Sequence, residues 1–61
     1  MTPEFLAQSI YNEYRELGIS KFKAKEASII AVRISINQAT KHANSQMVDF
    51  MRLVKKELKK L

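Results

Sequence analysis

Residues 20–43 read SKFKAKEASIIAVRISINQATKHA, a run without Gly or Pro whose apolar side chains fall on two sides of a helix. Advancing about 100° per residue places Phe22, Ile29, Val32, Ile36, Ala39 and Ala43 on one stripe. Ala24, Ala27, Ile30, Ala31 and Ile34 fall on the far side. A surface helix of a small monomer needs a single apolar stripe. Two stripes need cover on both sides, one from the rest of the chain and one from a second copy. The pattern predicts an all-α interaction protein, dimeric, with helix 2 as its spine. The expected oligomer interface is Ala27, Ile30, Ala31 and Ile34, because small alanines let helices approach closely.

The preceding segment is punctuated as a helix over residues 3–17. Thr2 suits the N-cap, Pro3 the first helical position, and Glu4 the positive end of the helix dipole. Leu6, Ile10, Tyr14 and Leu17 follow as a stripe, with Phe5 and Tyr11 on its shoulders. Gly18 stops the helix by entering the left-handed region without a Cβ penalty, and Ile19 is placed to contact Tyr14. Ser20 then caps helix 2, expected over residues 21–43. So short a link makes the two helices antiparallel neighbours.

Two readings exist beyond Asn37, where the chain turns polar through Asn37, Gln38, Thr40, Asn44, Ser45 and Gln46. In the first, Asn44 or Ser45 caps a third helix over residues 46–61. Its seam is Met47, Met51, Val54, Leu58 and Leu61, spaced 4, 3, 4 and 3, with Phe50 beside it. In the second, one unbroken helix runs from Ser20 to the end, about 60 Å at 1.5 Å per residue, and buries its seam in a coiled-coil dimer. A short–long–medium antiparallel three-helix bundle is preferred, because helices of some 40 residues are rare outside coiled coils.

Composition narrows the class. A chain of 61 residues forms one domain, and a domain this small buries only about 60% of its unfolded surface. Such domains lean on disulfides, metals or oligomerisation. Without Cys there is neither a disulfide nor a thiolate metal site, and the lone His42 cannot build a zinc site. Oligomerisation is left. One Gly and one Pro argue against an all-β fold. No apolar run is long enough to span a bilayer, and Met1-Thr2-Pro3-Glu4 has no basic secretory n-region, so the cytoplasm is the expected compartment.

Charge carries the clearest functional signal. The net charge is +5, and it is unevenly spread. Glu4, Glu13 and Glu16 against Arg15 give residues 1–18 a net −2. Lys21, Lys23, Lys25, Arg33 and Lys41 against Glu26 give residues 19–44 a net +4. Arg52, Lys55, Lys56, Lys59 and Lys60 against Asp49 and Glu57 give the remainder +3. Lys21, Lys23 and Lys25 sit where the helix dipole disfavours cations, so helix stability does not explain them. In a helix 2–helix 3 hairpin they meet Lys55, Lys56, Lys59 and Lys60 at one end of the molecule. Such a cluster can neutralise phosphates and release counterions, which gives salt-sensitive, sequence-independent binding to DNA or RNA. The bland alternative is a solvated face that aids solubility, with Glu13 and Glu16 blunting its field.

Other functions find less in the residues. Helix 3 is basic and amphipathic, as membrane-surface helices are, but its seam has no Trp and suits a core. Leu17-Gly18-Ile19-Ser20 looks like the turn before a DNA recognition helix, but that helix would need a wet face and here both faces are apolar. His42 lies in a polar stretch, Glu13 and Glu16 share a solvated face, and there is no Glu-x-x-His pattern and no glycine-rich phosphate loop. The expectation is a non-enzymatic regulatory binding protein without a cofactor. The alternative is an adaptor or inhibitor that meets a protein target through an apolar helical face.

Overall fold

The computed structural model describes residues 1–61 and consists of three helices packed together, with no strand. These are α1 (Pro3–Glu16), α2 (Lys21–Lys41) and α3 (Ser45–Lys60). The long axis measures 35 Å, far short of the roughly 60 Å of an unbroken helix from Ser20 onward. Of the two readings of the polar stretch, the three-helix one describes this chain.

Each helix starts on a side-chain cap. Thr2 Oγ1 accepts from the Phe5 amide at 3.1 Å, Ser20 Oγ from Lys23 at 3.3 Å, and Asn44 Oδ1 from Met47 at 3.0 Å. Gly18 ends the first helix at φ 84°, as its missing Cβ allows. Arg15 Nη1 donates to the Ile19 carbonyl at 2.7 Å and ties the helix end to the turn.

The break after α2 is built without glycine. The Ala43 amide donates to Thr40 O at 3.1 Å, and the Asn44 amide reaches back to Ala39 O at 2.9 Å. Those two bonds form a Schellman closure, with Ala43 in its left-handed position at φ 53°. Asn44 thus closes one helix with its backbone and opens the next with its side chain. Most of the polar stretch belongs to helices, and only His42, Ala43 and Asn44 connect them. Left-handed geometry costs a Cβ-bearing residue about 1–2 kcal/mol. Ala43→Gly is therefore expected to stabilise the fold by about 0.5–1 kcal/mol, after the greater freedom of glycine in the unfolded chain is subtracted. Urea denaturation checks it; a destabilised variant would show that Ala43 carries no strain.

The core consists of Ala7, Val32, Met51, Val54 and Leu58, with Leu6, Ile10, Tyr11, Ile29, Ile36 and Phe50 packed around it. The seam read in α3 is buried at its centre, Met51, Val54 and Leu58, and opens at its ends, Met47 and Leu61. In α2 the buried set is Ala24, Ser28, Val32 and Ala39, which corrects the two stripes. Ala24, expected on the outer side, is fully buried, and Phe22, expected in the core, is exposed. Ala43 leaves the helix for the turn, and Leu17 lies beyond the last turn of α1 and is exposed. Ala24 and Ser28 have no bulk to hold neighbouring helices away, so close approach selects them where a hydrophobicity pattern selects Phe22. The buried Ser28 hydroxyl donates to Ala24 O at 2.7 Å, so its burial leaves no orphaned donor.

Candidate nucleic-acid interface

The seven lysines singled out in the sequence lie in the first turns of α2 and the last turns of α3. Lys21, Lys23, Lys56, Lys59 and Lys60 are exposed; Lys25 and Lys55 are half-buried. The half-buried pair can lay its methylene stems on apolar surface and keep the ammonium in water. Helix geometry thus presents cations at every one of these positions.

Their electrostatic state is the informative part. Lys60 Nζ lies 3.0 Å from Glu57 Oε2, and this is the one salt bridge of the chain. Lys21, Lys23, Lys25, Lys55, Lys56 and Lys59 have no carboxylate partner. Glu13 and Glu16, named above as possible neutralisers, form no ion pair with them. The first turn of α2 carries no acid either, so its dipole and its lysines add potentials of the same sign. An unpaired cation beside unpaired cations gains from an anion that replaces water. A surface ion pair such as Lys60–Glu57 is worth only about 0–1 kcal/mol and dissociates easily for a stronger anion.

A second surface lies on the outer side of α2. Ile30 and Ile34 are 46% and 53% exposed, while Ala27 and Ala31 on the same side are half-buried. A shallow depression against this side is lined by Glu26, Ile29 and Ile30. A wider one is lined by Ile34, Ser35, Gln38, Ala39, His42, Asn44, Met47 and Met51 and carries the apolar surface from α2 onto α3. Of the four residues expected as an interface, Ile34 therefore shares a depression with Met47, which the sequence assigned to the core seam.

Phe22 and Leu17 are the functional candidates that the sequence reading missed. Both were assigned to inward stripes. The signal available was positional: Leu17 adjoins the helix-ending glycine, and Phe22 is flanked on both sides by lysine. No group of three or more His, Asp or Glu residues comes together as a metal site, and no helix is long and apolar enough to cross a membrane.

No protein-family model matches the chain, and no curated protein or solved structure shows significant similarity to it.

Proposed function

We propose that this chain is a small non-enzymatic regulatory protein that binds nucleic-acid phosphates through its lysines and self-associates through α2. The observation that carries the first half is the set of six lysines left without a carboxylate at the start of α2 and the end of α3. An antiparallel order of the three helices gathers them at one end. A helix of the length of α2 spans about 31 Å and nearly fills the 35 Å long axis, which supports α3 folding back along it after a three-residue link. Lysine alone, without clustered Arg, suits the phosphate backbone and not base edges. A cytoplasmic site of action accords with a chain free of cysteine.

The test is binding to random-sequence duplex DNA and to RNA across a salt series. Micromolar binding that weakens linearly in log–log form is expected, with a slope of about −0.9 for each phosphate neutralised on the duplex. Absence of binding even at low salt overturns the reading and returns the lysines to solvation.

The exposed Ile30 and Ile34 support the second half, a homodimer closed on the outer side of α2. Ile30→Asp and Ile34→Asp are expected to give folded monomers, since neither side chain belongs to the core cluster. Sedimentation equilibrium reads the mass and circular dichroism the fold. A dimer that survives both substitutions sinks the assignment. A wild-type chain that is monomeric would favour the adaptor reading, in which the same apolar face meets a protein target.

A further inference from the structure

Phe22 is 69% exposed and stands between Lys21 and Lys23 in the first turn of α2. Across the turn Leu17 is 73% exposed. A large aromatic ring in water is costly, at about 25 cal/mol per Å² of apolar surface, and the three-helix core does not use it. Lys21 and Lys23 leave the helix about 100° to either side of Phe22, and their flexible stems can bring a cation to each flank of the exposed ring. That matches what a polynucleotide with unpaired bases offers: a phosphate, a planar base, a phosphate. A duplex offers only the phosphates, because its bases are stacked on one another.

We infer that the preferred ligand of the lysine surface is single-stranded nucleic acid, with one base stacked on Phe22 and the flanking phosphates held by Lys21 and Lys23. This rests on the phosphate-binding reading above and narrows its substrate class. Stacking is indifferent to base identity, since every base has a π-face, so the binding is sequence-tolerant. An anionic bilayer is the other ligand that pairs cations with apolar groups, but it needs a broad apolar face. Phe22 and Leu17 are instead separated by Gly18, the half-buried Ile19, Ser20 and Lys21, with Glu16 adjoining, so insertion would drag polar and acidic groups along.

The test compares the wild-type protein with Phe22→Leu and Phe22→Tyr on three probes: a fluorescent single-stranded oligonucleotide of mixed sequence, the matching duplex, and vesicles containing phosphatidylserine. Circular dichroism confirms the fold, which an exposed side chain leaves intact. Phe22→Leu keeps the apolar bulk and removes the π-face; it is expected to weaken single-strand binding about 5- to 100-fold, the cost of removing one stack. Duplex binding stays unchanged, and Phe22→Tyr retains wild-type affinity for both. Duplex binding as tight as single-strand binding, or equal losses on both with Phe22→Leu, overturns the stacking and leaves the phosphate reading standing. No binding to either nucleic acid overturns both readings. Vesicle binding that tolerates Phe22→Leu, with no nucleic-acid binding, identifies a membrane surface instead.

Discussion

Leu58→Ala is expected to cost about 2–5 kcal/mol of folding stability. Leu58 is among the largest fully buried side chains, at 0% exposure, and joins Val54 and Met51 from α3 to Val32 of α2 and Ala7 of α1. Truncation to Ala removes apolar area and leaves a cavity where all three helices meet. A domain of this size has a core that rarely supplies more than about 3–5 kcal/mol, so the variant approaches global unfolding at 37 °C. Leu53 is the control, on the same helix with the same chemistry and 52% exposed. Leu53→Ala is expected to stay within about 0.5 kcal/mol of wild type. Urea denaturation followed by circular dichroism separates the two, with unchanged slopes where the unfolding remains two-state. Equal losses for both leucines would remove the α3 seam from the core and refute the packing described above.

The second large effect concerns binding. Replacing Lys55, Lys56, Lys59 and Lys60 with Glu shifts the charge by −2 at each position and takes the chain from +5 to −3. Phosphate binding is expected to vanish at physiological salt, because attraction is replaced by repulsion over the whole C-terminal part of α3. Each acid placed at the negative end of the helix dipole costs about 0.3–1 kcal/mol, about 1–4 kcal/mol for the four, so circular dichroism must show a folded variant before its binding is read. Lys56, Lys59 and Lys60 are exposed, so the core is not disturbed there. A milder pair, Lys56→Gln with Lys59→Gln, is expected to flatten the salt slope on duplex DNA by about 0.9 for each phosphate that is no longer neutralised. An adaptor with a protein target behaves differently: charge reversal at its rim mainly slows association and leaves dissociation nearly unchanged. Filter binding across salt and stopped-flow association kinetics together decide between the two.

Local chemistry made much of this molecule legible. Thr2-Pro3, Gly18 and Ser20 mark the ends of α1 and the start of α2 by capping and left-handed geometry, which depend on neighbours in sequence alone. The period of Met51, Val54 and Leu58 marks the buried side of α3, because a helix on the edge of a small core has one buried face to declare. The positions of the lysines are equally plain.

Three matters belonged to the tertiary structure. The break at Ala43 has no glycine to announce it; only the closure of Asn44 onto Ala39, together with the packing of α3 against α2, holds an alanine at positive φ. The orientation of α2 was likewise beyond the pattern, since a helix with apolar residues on two sides has no single preferred face. Packing resolved it by size, burying Ala24 and Ser28 where helices come close and leaving Phe22 in water. The freedom of the lysines was settled the same way. Sequence placed Glu13 and Glu16 as their possible neutralisers, and only the three-dimensional arrangement shows that Lys60 alone forms an ion pair. A sequence specifies which groups a helix carries; which of them meet is a property of how the helices turn toward one another.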